Sequence, residues 1–172
     1  MFAGAGTTRY QLASTARALV ETDLWETVAA QPELVSPAVE EGLRFYPVTQ
    51  FVVRIPDEDV PVKDVTAGSL AFRARRRVIL NLQAASRDPG MFPDPDRFDI
   101  HRQNTARSRL PFGWGTHYCL GHALARAAMA EAVAVLTARL TDVRIAEPVS
   151  VAPAAAMLGG PEQLRLSFAW RR

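Results

Sequence analysis

Residues 112–121 read Phe-Gly-Trp-Gly-Thr-His-Tyr-Cys-Leu-Gly, and this glycine-rich stretch carries the only cysteine of the chain, Cys119. Glycine adopts backbone conformations that other residues resist, so the stretch predicts a loop that can approach a flat partner closely. The loop leads into residues 120–140, an alanine-rich segment that predicts the strongest helix of the chain. A sulfur at a helix N-terminus meets the positive end of the helix dipole, which favours the thiolate, the form that binds metal.

The surroundings of Cys119 are free of acidic residues. No aspartate or glutamate lies between Asp99 and Glu131, whereas four arginines do, namely Arg102, Arg107, Arg109 and Arg126. This stretch is either a solvated basic face or a positive patch that meets an anionic cofactor or an acidic protein. The net charge of the whole chain is only +2, which gives no support to nucleic-acid binding.

The composition is that of a globular protein, with 48% apolar and 22% charged residues in a chain of 172. A single cysteine excludes an internal disulfide, and no apolar run approaches the length of a membrane span. The first residues lack the charged and apolar regions of a signal peptide. We therefore expect a cytoplasmic protein that binds neither nucleic acid nor membrane.

Apolar residues at helical spacing predict three helices before the loop, over residues 7–21, 23–30 and 36–46. Runs rich in β-branched residues predict strands over residues 50–55, 78–82, 143–145 and 164–170, with 70–72 a weaker candidate. The three prolines of residues 88–98 predict an ordered but irregular meander, and Gly159-Gly160-Pro161 predicts a turn. The expected fold class is α+β, mostly helical, with a small sheet.

Local signals set the expected helix ends. Asp23 and Ser36 are predicted N-caps of the second and third helices, and Pro47 is expected to stop the third. Along the last helix, one predicted apolar face comprises Leu120, Leu124, Ala128 and Ala132.

The pattern Phe112-x-x-Gly115-x-x-x-Cys119-x-Gly121 resembles the haem-binding signature of the cytochrome P-450 superfamily, in its bacterial haem-thiolate monooxygenase form. The resemblance implies that Cys119 is the axial ligand of the iron of haem b, that is, of iron protoporphyrin. It also implies that His117 bonds a haem propionate. Gly113 belongs to the same cofactor-binding loop.

The residues around Cys119 also permit other interpretations. A lone cysteine is often a small buried apolar residue. His117, Cys119 and His122 could form part of a zinc site, although no nearby Asp, Glu or Cys supplies a fourth ligand. A catalytic cysteine–histidine pair is a further alternative, and His122, within the predicted helix, is expected to be structural.

A second motif lies on the predicted helix over residues 36–46. Glu41 and Arg44, at i,i+3, resemble the Glu-x-x-Arg motif of the same family, where the pair bonds to an arginine of the downstream meander. The resemblance gives that third role to Arg97. Glu40 at i,i+4 is the alternative partner of Arg44.

Residues 3–8, Ala-Gly-Ala-Gly-Thr-Thr, resemble the oxygen-binding segment of the family, and Thr7 matches its proton-delivering threonine. Gly6 stands where the family usually has an acid. Arg54 matches an arginine that binds a haem propionate. Arg75 replaces a turn glycine, which is costly if that position needs a positive φ.

The resemblance implies a monooxygenase that inserts one atom of dioxygen into a small hydrophobic substrate, with Phe51, Val52 and Val53 as candidate pocket residues. Electrons would come from NAD(P)H through a ferredoxin-type donor on the basic face near Arg107, Arg109 and Arg126. The chain matches less than half of a typical member, so we expect residues 1–172 to be a single incomplete haem-binding domain, the C-terminal portion of the cytochrome P-450 fold. A truncated haem-binding module or an inactive remnant without turnover is the alternative.

Overall fold

The computed structural model describes residues 2–62, 71–103, 110–151 and 158–172. Within these ranges the helices are α1 Phe2–Glu21, α2 Trp25–Ala30, α3 Val35–Phe45, α4 Leu82–Ala85 and α5 His122–Arg139. Short 3-10 turns occupy Pro32–Leu34 and Gly115–His117. None of the helices in the described ranges is long and apolar enough to cross a membrane.

Within the described residues, the strands form antiparallel pairs. They are β1 Phe51–Arg54, β2 Val60–Pro61, β3 Ala71–Phe72, β4 Val78–Asn81, β5 Leu140–Ile145, β6 Ser150–Val151, β7 Pro161–Gln163 and β8 Leu166–Trp170. The pairs are β1–β4, β2–β3, β5–β8 and β6–β7. The predicted α+β class is confirmed. Of the weak strand candidate over 70–72, residue 70 lies outside the described residues, and Pro161 begins a strand where the sequence predicts a turn.

Asp23 ends α1 and does not cap α2, so that prediction is wrong. Its φ of +56° places it in the left-handed region, where it follows the last turn of α1. The amide of Asp23 donates to the carbonyl of Val20, and the amide of Leu24 donates to that of Leu19. This is the hydrogen-bond pattern of a Schellman motif, which satisfies the free carbonyls at a helix C-terminus. The N-cap of α2 is Leu24, without a side-chain hydrogen bond.

Ser36 is likewise not a cap. The 3-10 turn at Pro32–Leu34 runs directly into α3, so Ser36 falls inside the first helical turn and Leu34 takes the N-cap position. The predicted stop holds, because α3 ends at Phe45, two residues before Pro47.

A close approach of α1 and α3 organises the core. A Cβ added to Gly42 would lie within van der Waals overlap of the Thr15 side chain, 2.8 Å from its Cγ2. The buried amide of Gln11 joins the same helices, since its Nε2 donates to the carbonyls of Gly42 and Tyr46 and its Oε1 accepts from the amide of Val48. The apolar core lies between α1, α3 and α5 and includes Leu19, Ala38, Val39, Met129 and Val133.

The predicted apolar face of α5 is not the core face. Leu120 is fully exposed and Leu124 is 76% exposed, whereas Met129, Val133 and Thr137 are buried. In an alanine-rich helix several faces satisfy apolar spacing, and the larger side chains of Met129 and Val133 decide which one packs against α1 and α3. The far end of α5 is fixed by Trp25, whose indole Nε1 donates to the carbonyl of Leu140 at 3.2 Å.

The β1–β4 pair places Val52 opposite Leu80 and Val53 opposite Ile79. Strand β4 ends at Asn81, one residue earlier than predicted, because the Asn81 side chain caps α4 by accepting from the amide of Ala84 at 2.9 Å. The meander over 88–98 is irregular, as predicted, and is anchored by the buried rings of Phe92 and Phe98. In the turn between β3 and β4, Arg75 adopts a φ of +59°, so this position favours glycine.

Candidate functional site

The loop before α5 is folded by two left-handed glycines. Gly113 has a φ of +79° and Gly115 a φ of +68°, values that favour glycine. These turns bring the ends of the loop together, so that the amide of Cys119 donates to the carbonyl of Phe112 at 2.9 Å. Gly121 has an ordinary backbone, and a Cβ there would lie 4.0 Å from the Cys119 Sγ. Cys119 thus lies three residues before α5 begins.

Beneath this loop lies a cavity of about 510 Å³, which brings together segments that are distant in sequence. Its wall is formed by α1, β1, the loop and the first turns of α5. The site residues predicted from the sequence that line it are Thr7, Arg54, Phe112, Gly113, His117, Cys119 and Gly121. Gly115 is not part of the wall. Thr8 and Gln11 also line the cavity, and sequence reasoning missed both.

Strand alternation decides which residues of β1 face the cavity. Val52 and Arg54 line it, whereas Phe51 and Val53 do not, because successive side chains of a strand point to opposite faces. Of the three candidate pocket residues, only Val52 is therefore placed at the wall.

The chemistry of the wall fits a haem. Cys119 is exposed and is a free thiol, and the apolar side chains of Phe112, Leu124 and Met129 share its cavity. Arg54 and His117, on the same wall, are the types of side chain that bind carboxylates. A cavity of this size lies within the roughly 300–1,000 Å³ range of small-molecule and cofactor sites. One sulfur ligand, apolar walls and two carboxylate-binding groups form a donor set that fits an iron porphyrin.

The zinc alternative is not supported. Within the described part of the chain, no group of three His, Cys, Asp or Glu side chains is arranged to hold a metal ion. The ring of His122 packs against Tyr118, with centroids 4.7 Å apart, and its Nδ1 lies 3.2 Å from a guanidinium nitrogen of Arg126. His122 is therefore part of the support under the loop, as expected.

Glu41 and Arg44 form a bidentate ion pair in the core, and each side chain is 1% exposed. The Nε and Nη2 atoms of Arg44 donate to the two carboxylate oxygens of Glu41 at 2.8 and 2.6 Å. The same guanidinium donates to the backbone carbonyls of Ser86, Pro95 and Arg97. The pair thereby attaches α3 to the meander. The alternative pairing of Glu40 with Arg44 is wrong, because Glu40 pairs with Arg126.

A second guanidinium reaches Glu41, and it belongs to Arg102. The role assigned to Arg97 is therefore wrong for its side chain. The Nε of Arg102 lies 3.4 Å from Glu41 Oε1, and Arg102 is only 7% exposed. Arg97 is 66% exposed and pairs with Asp99, while only its carbonyl accepts from Arg44. The neighbouring side chains of Phe98 and Ile100 are buried in the core, whereas that of Arg97 is exposed.

Asp99 joins the same network. Partial burial of Asp99 acts to raise the pKa of its carboxyl group. Hydrogen bonds from the His101 amide and the Arg97 guanidinium lower that pKa by more than burial raises it, so the pKa lies below its usual value. The amide of Asp99 donates to Glu41 Oε1 at 2.9 Å. The carboxylate of Glu41 thus accepts hydrogen bonds from the Asp99 amide and from the Arg102 guanidinium.

Comparison of the sequence with known proteins agrees with the geometry of the site. The family model for cytochrome P450 matches residues 26–140. Luteothin monooxygenase of Streptomyces thioluteus is 37% identical over 98% of this chain and 40% of its own length. Steroid C26-monooxygenase of Mycolicibacterium smegmatis is 32% identical over 98% of this chain and 41% of its own length.

Solved structures give the same result. The crystal structure of P450BioI in complex with hexadec-9Z-enoic acid ligated acyl carrier protein matches with a TM-score of 0.87 and 32% identity, over 97% of this chain and 42% of that chain. The chain spans about 40% of the length of the curated relatives that it matches. The resemblance predicted from the cysteine loop is confirmed, and the chain belongs to the cytochrome P450 family.

Proposed function

We propose that the protein is a haem-thiolate monooxygenase that inserts one atom of dioxygen into a small hydrophobic substrate, and that this chain supplies its thiolate ligand. One observation carries the proposal: the Cys119 thiol shares a single cavity wall with Thr7, Arg54 and His117. When bound, haem b supplies the iron at which dioxygen is activated, with electrons that originate from NAD(P)H.

The residues of the wall and of the cysteine loop have distinct roles in this proposal. The Cys119 thiolate binds the iron, and Arg54 and His117 bind the propionate carboxylates by charge and hydrogen bonding. The apolar ring of Phe112, at the cavity wall, would hold the apolar part of the haem. Gly113 and Gly115 supply the left-handed turns of the loop, and Gly121 leaves space beside the sulfur.

Thr7 is the proposed proton relay. It lies on α1 at the cavity wall, and a hydroxyl at this place can accept a proton from water and pass one on through its Oγ1. Gly6 precedes it, so no carboxylate at that position feeds the relay. Thr8, at the same wall, provides a second hydroxyl.

The electron donor is proposed to be an acidic, ferredoxin-type protein. Arg107 and Arg109 of the predicted docking face lie outside the described residues. Arg126 is already engaged by the carboxylate of Glu40. Arg126 is therefore not assigned to the docking of the donor in this proposal.

A hemin titration followed by a reduced carbon monoxide difference spectrum tests the proposal. We expect the chain to bind hemin and to give the thiolate-type carbon monoxide band, and Cys119→Ser to lose that band. Arg54→Gln is the matched control, because it should weaken hemin binding and keep the band. A normal band in Cys119→Ser, or no hemin binding by the unmodified chain, contradicts the ligand assignment. Hydroxylated product in the presence of a reductase would exclude the non-catalytic module.

A further inference from the structure

Arg126 lies one turn into α5 and points towards the cysteine loop, not into solvent. Its Nε and Nη2 atoms donate to the two carboxylate oxygens of Glu40 on α3, at 2.5 and 3.3 Å. Its guanidinium also lies over the ring of Phe112, 4.4 Å from the centroid. Both members of this ion pair are partly buried.

The contacts of Arg126 converge on the residues that hold Cys119. The carbonyl of Phe112 accepts from the amide of Cys119, so the residue stacked under the guanidinium also fixes the backbone of the ligand residue. His122 contacts Arg126 through Nδ1 and packs against the ring of Tyr118, which directly precedes Cys119.

The charge state of Arg126 is secure in this setting. Its partial burial acts to lower the pKa, but Glu40 and the Tyr118 hydroxyl outweigh that effect, and the pKa is raised above the usual value. A permanent, planar cation can stack on an aromatic ring and hold a carboxylate at the same time, which a lysine cannot do with equal geometry.

We propose that the Glu40–Arg126 ion pair is a positioning pair for Cys119, which clamps Phe112 and the ligand loop onto α5 and so fixes the sulfur at the cavity wall. This inference rests on the proposed role of Cys119 as the thiolate ligand. It assigns Arg126 to the interior support of the site, and not to the docking of a protein partner.

Backbone hydrogen exchange on the full chain without haem tests the clamp directly. In Arg126→Gln and Glu40→Gln, amides of residues 112–121 should exchange roughly tenfold faster, because the loop opens locally, while residues 41–46 keep their protection. Arg139→Gln and Glu131→Gln are matched controls at exposed positions of α5 and should leave both segments unchanged. Arg126→Lys, which keeps the charge but loses the flat stacking surface, should restore part of the protection.

A second measurement separates positioning from general stabilisation. After addition of hemin, Arg126→Gln should lose thiolate-type carbon monoxide signal relative to total bound haem, whereas Arg139→Gln should match the unmodified chain. Unchanged exchange in residues 112–121, or an equal effect in Arg139→Gln, overturns the inference. If the unmodified chain binds no hemin, the proposed function fails, and the exchange experiment still decides whether the clamp exists.

Discussion

Glu41 Oε1 lies 3.4 Å from the Nε of Arg102, which is 61 residues further along the chain. Arg102 also donates to the backbone carbonyls of Pro93, Asp94 and Arg97. One guanidinium therefore closes the meander upon itself and attaches it to α3.

Replacing Arg102 should cost far more stability than replacing Arg97. Arg102→Ala removes hydrogen bonds to a buried carboxylate and to carbonyls, which corresponds to about 2 kcal/mol of unfolding free energy. Arg97→Ala should leave the unfolding free energy unchanged within error, because its side chain is exposed. Urea denaturation of the two variants checks this, and the reverse order would return the role to Arg97.

The Glu41–Arg44 pair should be intolerant of single substitutions. Glu41→Gln leaves Arg44 as a buried cation without its counter-charge, and breaking such a pair costs about 3–5 kcal/mol. The i,i+4 pair of Arg17 and Glu21, whose side chains are 20% and 31% exposed, is the control, and Glu21→Gln should cost less than about 1 kcal/mol. Thermal and urea unfolding measure both. Similar losses of unfolding free energy in Glu41→Gln and Glu21→Gln would show that burial does not determine the cost of breaking these ion pairs.

Gly42→Ala should lower the free energy of unfolding, whereas Gly6→Ala should raise it. The added methyl group at Gly42 overlaps the Thr15 side chain, and overpacking of this type costs about 1–3 kcal/mol. Gly6 has open space around its Cα and lies in α1, so alanine there should stabilise by up to about 1 kcal/mol through helix propensity.

The double variant Gly42→Ala/Thr15→Ala gives the corresponding control. Removing Oγ1 and Cγ2 of Thr15 relieves most of the overlap, so the two changes should be less than additive in unfolding free energy. Full additivity would mean that the loss at Gly42 has a cause other than contact between α1 and α3.

The turn over residues 73–76 should gain stability from a glycine. Arg75 has a φ of +59°, and the left-handed region costs a residue with a side chain about 1–2 kcal/mol, which exceeds the entropy cost of glycine. Arg75→Gly should therefore stabilise by a few tenths to about 1 kcal/mol. Arg76→Gly, at a neighbouring residue without a positive φ, should not. Thermal unfolding of both variants decides the question.

Glu26 should make stability dependent on pH in the acid range. Hydrogen bonding to Arg171 lowers the pKa of its carboxyl group below the usual 4.5, with further hydrogen bonds from Thr141 and Asp142. The stabilisation is present above pH 4.5 and is lost as the pH falls through the lowered pKa of the folded state. Because the group is exposed, the effect should stay below about 1 kcal/mol.

The difference in unfolding free energy between pH 7 and pH 3 measures this contribution. It should be smaller in Glu26→Gln than in the unmodified chain. Glu33→Gln, at an exposed residue near α2, is the control and should leave the difference unchanged. An equal pH response in Glu26→Gln and the unmodified chain contradicts the assignment.

The sequence predicts the parts of the site that depend on local chain geometry. Gly113, Gly115 and Cys119 lie in one loop, and the spacing of Glu41 and Arg44 is a property of one helix turn, so both arrangements follow from the sequence. The N-cap predictions for Asp23 and Ser36 were wrong because Asp23 belongs to a Schellman motif after α1, and because the 3-10 turn at Pro32–Leu34 leads into α3 before Ser36.

Long-range contacts are what the sequence could not supply. Whether Arg97 or Arg102 faces Glu41 depends on which neighbours enter the core, and Phe98 and Ile100 decide that only in three dimensions. The face of α5 that packs was ambiguous for the same reason, since alanines satisfy several helical spacings. The sequence alone indicates a surface cation at Arg126, because its partner Glu40 lies 86 residues away along the chain.

The exposure of Cys119 has a consequence for handling the protein. As the chain has a single cysteine, oxidation of two copies can form one kind of covalent dimer, in which an external oxidant removes two thiol hydrogens and joins the two sulfurs. Each such bond consumes the candidate iron ligand of both copies at once. The thiol redox state of a preparation therefore sets the fraction of chains in which the Cys119 thiol is available for its proposed role, independently of how well the chain is folded.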